Sequence, residues 1–339
     1  MPFSPRTPLT LTTHSTVEIL RDAVAAAIQA PSSHNTQPWR FRIADGRLEL
    51  FADPTRHLHV IDAERRQQIQ SCGCALYNAR IAVRAAGFTD VVTDMVVDVA
   101  EPTHLATLSL GEPHITTELD HALMAAVPQR RTNRRAFLKR PVGQVEADAL
   151  GRAATAEGAS IIRLDPTRKR ELGLLIDYAD REQFGNPAFR AELGSWLTSF
   201  GSRRRDGIPF VEKEYGSALP FTVMRALRSP SLGGEFGAIE EELVLGAPVV
   251  FALGTDGDQP WQWLLCGQAL QAVLLRATAI GLSASFLNQV LEIPELRGQV
   301  AELLPEIPYP QMIVRLGIPE EPVRHPAPRR DIAEVLDII

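Results

Sequence analysis

The amino-acid sequence predicts an α+β fold made of two copies of one unit. Two observations carry this. Cys72–Gly87 reads CGCALYNARIAVRAAG and Cys266–Gly281 reads CGQALQAVLLRATAIG, and Cys, Gly, Ala, Leu, Ala and Gly coincide at six of the sixteen positions. Each stretch is also preceded by strand-like sequence, Arg47–Phe51 or Leu243–Leu253. Each is followed by a strand ending in Leu-Gly-x-Pro, at Leu110–Pro113 and Leu316–Pro319. Self-similarity at a fixed offset marks a repeated structural unit. The alternative is chance similarity between two Ala- and Leu-rich helices, and the shared order of the flanking elements argues against it. The halves are 1–124 and 125–339.

The elements follow in order. Residues 1–14, rich in Pro and Thr, read as extended. Ser15-x-x-Glu18 is a capping-box pattern, and Val17, Leu20, Val24, Ala27 and Ile28 recur at helical spacing. Pro31 stops that helix. Trp39–Ile43 and Arg47–Phe51 flank Ala44-Asp45-Gly46, a strand–turn–strand signal. Asp62 is placed to cap a long helix ending near Gly87. Its Ser71, Cys72, Gly73, Cys74 and Ala75 are small enough for a neighbouring backbone to come close. Strands are expected at Val91–Val99 and Ala106–Leu110, and a helix at Val145–Thr155. Residues 183–237, rich in Gly, Pro, Ser and Arg, interrupt the second copy. This insertion is expected to hold helices at Pro187–Leu197 and Pro220–Arg228 and to act as a lid or a binding loop, with Phe210, Tyr215 and Phe221 available to cover an apolar ring.

Composition narrows the function. The chain has 339 residues, 35 basic against 41 acidic, for a net charge of −6. Apolar residues make up 45% and charged residues 22%, as in ordinary globular proteins. A net negative chain is a poor general nucleic-acid ligand, because neutralising phosphates needs surplus Lys and Arg. Three cysteines make no disulfide scaffold, and Cys72, Cys74 and Cys266 lack the partners that would complete a zinc site; no metal is expected. His57 and His59 read as surface residues. The N-terminal stretch has no apolar core of the kind a secretory signal carries. The longest apolar runs are short or broken by Gln268, Gln271 and Arg276. A soluble, cytoplasmic protein without a membrane partner is expected.

Four stretches carry chemistry. Pro31-Ser32-Ser33-His34-Asn35-Thr36-Gln37-Pro38-Trp39 is a polar loop between helix and strand, offering hydroxyls, amides and backbone N–H groups to a ligand; by itself it is equally a hydrogen-bonded turn. Arg130-Arg131-Thr132-Asn133-Arg134-Arg135, with Lys139 and Arg140, puts six positive side chains into eleven residues of an acidic protein. Forked guanidinium donors match phosphate oxygens. Arg329-Arg330 is a second basic pair, and Asn288-Gln289 follows the second repeat helix. No GxGxxG follows a strand; Gly254-Thr255-Asp256-Gly257 has the wrong spacing.

Together these stretches resemble the nitroreductase family of FMN flavoproteins. The loop matches the family's PSSxNxQPW signature at Pro31, Ser32, Ser33, Asn35 and Gln37. Arg130–Phe137 is similar to its RRSxRxF segment, with Thr132 in place of Ser, and Arg329-Arg330 resembles its C-terminal basic pair. Asn288-Gln289 stands where many relatives have Glu-Gly beside the reactive flavin edge. The resemblance implies FMN as cofactor. Arg130, Arg329 and Arg330 would then hold its phosphate, with Arg131 and Asn133 in the same segment. Thr132, Ser32, Ser33 and Asn35 would hold phosphate, ribityl chain or ring edge, and Arg134 would lie near N1 and O2.

In dimeric relatives the PSSxN loop comes from one subunit and the arginines from the other. Here the loop lies only in the first half and the RRTNR motif opens the second. The resemblance therefore implies that the two copies fold as a pseudo-dimer with one complete flavin site and one degenerate site. Chain length resembles the single-chain Acg-type branch, in which an inserted lid can cover the flavin. The implied activity is NAD(P)H-dependent reduction of nitro- or quinone-type acceptors, the flavin supplying the reactive atom. The alternative is a flavin-sequestering or storage protein with a lid-covered FMN and little turnover. A pseudo-dimeric monomer and a homodimer both remain open.

Overall fold

A computed structural model describes residues 15–95, 104–198, 202–209, 233–321 and 326–339. The stretch 1–14, the helix expected at Pro220–Arg228, the end of the strand expected at Val91–Val99, and Phe210, Tyr215 and Phe221 lie outside the described residues.

The chain opens with helix α1 (Thr16–Ala27). Its capping box is present: the Glu18 amide donates to Ser15 Oγ at 3.3 Å, and the Ser15 amide donates to the Glu18 carboxylate at 2.7 Å. Strands β1 (Trp39–Ala44) and β2 (Arg47–Ala52) form a hairpin. Its turn residues Asp45 and Gly46 have φ of 49° and 72°, the positive pair that matches strand twist in a two-residue turn. Helix α2 (Arg66–Ala85) begins where Asp62 accepts the Gln67 and Gln68 amides at 2.9 and 2.8 Å. Strands β3 (Phe88–Thr93) and β4 (His104–Pro113) and helix α3 (Glu118–Ala126) complete the first half.

The second half runs α4 (Gln144–Ala156), β5 (Ser160–Arg163), α5 (Pro166–Gly185), α6 (Pro187–Trp196), β6 (Leu197–Thr198), β7 (Ile208–Pro209) and α7 (Gly233–Gly246). It continues with β8 (Val249–Thr255), α8 (Pro260–Ala279), β9 (Ser283–Phe286), α9 (Pro294–Leu303), β10 (Tyr309–Gly317) and β11 (Leu336–Ile338).

Two sheets carry the architecture. One has the order β11-β1-β2-β4-β3 and the other β5-β8-β10-β9. With β11 set aside, their orders match strand for strand, each sheet is antiparallel throughout, and α2 and α8 occupy the same place after the second strand. These two helices pack on each other at the centre of the main apolar core. β11 crosses from the end of the chain to pair in parallel with β1, Phe41 opposite Leu336. The tail thereby stays beside the loop that precedes β1.

Two expectations need correction. Leu243–Leu253 is not one strand: Leu243–Gly246 ends α7 and the strand begins at Val249. A short apolar run fits either a helix or a strand, and Gly246 with Pro248 breaks it in two. The connection that interrupts the second sheet is also wider than the expected 183–237. In the first half a tight turn joins the first two strands. In the second half the connection from β5 to β8 occupies 164–248 and includes α5, which packs along α7.

Candidate functional site

The loop before β1 is held under backbone strain. His34, Asn35 and Gln37 have φ of 49°, 54° and 51°, unusual for residues with a Cβ. Hydrogen bonds over-determine the conformation, as at ligand clamps. The Gln37 amide donates to Ser32 Oγ at 2.9 Å. Asn35 Nδ2 donates to the carbonyls of Gly207 and Pro328, each at 3.1 Å. Gln37 Nε2 donates to the Arg205 carbonyl at 2.7 Å. Asn35 and Gln37 therefore act as struts that tie the loop to the inserted segment and to the tail. Ser32 and Ser33 line a cavity of about 270 Å³, together with Pro31 and His34.

The arginine motif follows α3. It is stitched to β9 by a parallel bridge from Thr132 to Ala284, and the Asn133 amide donates to the Ala284 carbonyl at 2.8 Å. Thr132 and Arg134 line the cavity. Asn133 is buried, and its Oδ1 accepts the Arg135 amide at 3.1 Å, so it shapes the segment from behind. Arg130 is only 5% exposed and its Nε has no partner. Burial first, then the neighbouring Arg131, push its guanidinium down to about 10. Arg329 is pushed down to about 9 by burial, Arg130 and Arg131.

Arg329 reaches the loop: Nη1 donates to Asn35 Oδ1 at 3.0 Å and Nη2 to the Ala30 carbonyl at 3.2 Å. Its Nε is also without a partner. Among the described residues no carboxylate forms an ion pair with Arg130, Arg131 or Arg329. Uncompensated positive charge gathered in this way, with orphaned donors, suits a phosphate. The cluster stands next to the cavity, close to Cys74 and Arg134, which line it.

Arg330 departs from expectation. Its amide donates to Gln37 Oε1 at 2.8 Å, Nη1 donates to the Gln37 carbonyl at 3.2 Å, and its nearest carboxylate is Asp53 at 3.9 Å. It turns toward Asp53 and Arg56, away from the cluster.

Asn288 and Gln289 both line the cavity. Asn288 Oδ1 accepts the Ile313 amide at 3.0 Å, which fixes the turn after β9. Residues singled out by no motif also line it. His34 is held near 4, by burial first and then by Arg134, so its imidazole is neutral at pH 7. Gln67, Ser71 and Cys74 come from α2, Asp180 and Gln183 from α5, Glu240 from α7, and Glu292 follows Gln289 closely. The inserted segment adds Phe184, Phe189, Leu193, Leu197 and Ile208. Glu292 stood near a recognised stretch. Asp180 and Glu240 lie on helices with ordinary charge patterns, where nothing local marks them.

Among the described residues no group of three or more His, Cys, Asp or Glu is placed to hold a metal ion, and no helix is long and apolar enough to cross a membrane.

Comparison with known proteins adds relationships. A family model described as the nitroreductase family matches residues 196–318. Rv3131 of Mycobacterium tuberculosis H37Rv, named for an inferred NAD(P)H nitroreductase activity, is 32% identical over 339 aligned positions, covering 97% of this chain and 94% of the relative. The acg product of the same organism, named likewise, is 31% identical, covering 95% and 96%. Among solved structures, the FMN-dependent nitroreductase NfnB of Mycobacterium smegmatis in complex with NADPH is 18% identical, covering 64% of this chain and 97% of that chain, with a TM-score of 0.42.

Proposed function

The chain belongs to the nitroreductase family, and on that premise we propose that it is an FMN-binding oxidoreductase. It would draw electrons from NAD(P)H and pass them to a small nitro- or quinone-type acceptor in the cytoplasm. The observation that carries this is the convergence of Arg130, Arg131 and Arg329, without a carboxylate, beside a cavity lined by Ser32, Ser33, Thr132 and Arg134. That donor set fits FMN: a buried cationic corner for the phosphate, hydroxyls for a polyol, and an apolar chamber for a flat ring.

FMN, when bound, supplies the electron-carrying ring. Arg130 and Arg329 neutralise the phosphate through charge-assisted hydrogen bonds. Ser32, Ser33 and Thr132 orient the chain that links phosphate to ring. Arg134 presents a fixed positive charge to the cavity, which favours a ligand whose negative charge grows on reduction. Phe184, Phe189 and Leu193 exclude water from the opposite wall. The matched strand orders support reading 1–124 and 125–339 as two copies of one unit, sharing one complete site. The loop comes from the first copy, and the arginine motif and tail from the second.

A second reading has its own observation. The inserted segment is bonded directly to the loop at Gly207 and Arg205, which favours a protein that keeps FMN covered with little turnover. Denaturing the protein and quantifying released flavin tests the common premise: close to one FMN per chain is expected, and no affinity for FMN overturns both readings. Anaerobic mixing with NADPH and with NADH, followed by flavin absorbance, separates them. Rapid bleaching supports the oxidoreductase, and persistent colour supports the covered flavin.

A further inference from the structure

The inserted segment brings a second chemistry to the cavity. Asp180 and Glu240 line it from α5 and α7, and Glu292 lines it from the turn before α9. Glu292 is satisfied: Gln67 Nε2 and Gln183 Nε2 donate to its two oxygens at 2.8 and 2.7 Å, and Arg66 lies within electrostatic range. Glu240 has Arg315 and Arg134 close by.

Asp180 is different. It is 2% exposed, it lines the cavity, and its Oδ2 has no hydrogen-bond partner. Among the described residues no cation forms an ion pair with it. The charged groups that act on it most strongly are Glu240, Glu292 and Asp177, and the Gln289 amide beside it eases its ionisation. Burial first, then Glu240, hold its carboxyl well above the usual range. A buried carboxyl in such company either keeps its proton or takes a cation. The surfaces nearby are apolar and aromatic: Phe184 and Phe189 stand edge to face with centroids 5.4 Å apart, and Leu193 packs with them. Aromatic faces of this kind also attract quaternary or ring-borne positive charge.

We propose that this wall of the cavity is a subsite for an amphipathic cation, whose aromatic or alkyl body packs on Phe184, Phe189 and Leu193 and whose positive charge meets Asp180. The proposal rests on the nitroreductase reading only in making that cation the electron-transfer partner; the binding itself does not depend on flavin.

The test is isothermal titration calorimetry of the full-length protein, FMN content measured on the same sample, at pH 7.5. The probes are phenyltrimethylammonium and its neutral isostere tert-butylbenzene. Wild type should bind the cation at least tenfold more tightly. Asp180→Asn should remove that preference while leaving the neutral probe within twofold, and Asp180→Glu should restore it. Equal affinity of wild type for both probes overturns the proposal, and this comparison needs no variant to fold. A preference that survives in Asp180→Asn overturns it as well. Cation preference in a protein with no FMN affinity keeps the subsite and removes the flavin reading. Bound FMN with no cation preference does the reverse.

Discussion

Gly73 of α2 and Gly267 of α8 meet at the crossing of the two central helices, each giving way to the other's backbone. A Cβ on Gly73 would lie 2.2 Å from the Leu264 carbonyl oxygen, and a Cβ on Gly267 would lie 2.1 Å from that of Gln70. Gln70 and Leu264 each stand three residues before the glycine of their own helix. The contact is therefore reciprocal, as across a two-fold interface between identical subunits. The repeated Cys-Gly pair has a physical reason, since the helices approach too closely for any side chain at that position.

Gly73→Ala and Gly267→Ala should each destabilise the fold by at least the ~1–3 kcal/mol typical of overpacking, because the obstructing atoms are backbone and cannot rotate away. Urea unfolding midpoints measure this. The double variant should fall short of the sum, since one forced separation of the helices relieves both clashes. An unchanged midpoint in either single variant would mean that the helices do not pack this closely.

Legibility in the sequence followed the range of the interactions. The capping box at Ser15, the turn at Asp45-Gly46 and the helix start at Asp62 are local and could be read directly. The strained loop at Ser32–Gln37 was legible as a motif, but the division of labour within it was not. Ser32 and Ser33 face the cavity while Asn35 and Gln37 hold distant backbone, a distinction set by the tail and by the segment around Gly207. Arg329 and Arg330 are adjacent in sequence and opposite in direction. Asp180 and Glu240 were invisible because only the packing of α5 along α7 turns their helix faces inward.

Arg130 and Arg134 should fail in different ways. Losing the buried Arg130 guanidinium should weaken FMN binding by about 1.5–3 kcal/mol, the range for hydrogen bonds to a charged group. Arg130→Ala titrated with FMN, by fluorescence quenching, reads this. Arg134→Ala should leave affinity closer to wild type and lower the reduction potential of bound flavin, because the cavity loses its fixed positive charge. Unchanged affinity and potential in both variants would refute these roles.

Acid should loosen the second half through Asp258. Its carboxylate receives Arg297 Nη1 and Nη2 at 2.7 and 2.8 Å, Trp263 Nε1 at 2.6 Å and Gln311 Nε2 at 2.9 Å. Desolvation alone would raise this carboxyl, but those donors hold it down to about 2. A carboxyl more acidic when folded contributes stability above its unfolded value of 3.8 and loses it as pH falls through the folded value. Melting temperature should therefore drop between pH 4 and pH 2. Asp258→Asn should flatten that slope and cost about 1–2 kcal/mol at pH 7, allowing for solvent screening. A slope unchanged by the substitution would assign the acid sensitivity elsewhere.

Gly207 offers the sharpest separation of the two functional readings. Its φ is +79°, and a Cβ there would lie 2.5 Å from the Trp196 carbonyl oxygen. Its amide donates to the Asn35 carbonyl at 3.3 Å, and its own carbonyl accepts from Asn35 Nδ2 at 3.1 Å. Any larger residue must give up both the left-handed backbone and the close approach, so Gly207→Val should lift this segment off the loop. Arg130 and Arg131 lie on another part of the chain, and FMN should stay bound. If the segment limits access, anaerobic stopped-flow mixing with NADPH should bleach the flavin several-fold faster in the variant than in wild type. If wild type is already reduced quickly and Gly207→Val is slower, the segment helps to hold the donor and the covered-flavin reading fails. Equal rates would mean that contact between this segment and the loop does not govern entry to the cavity.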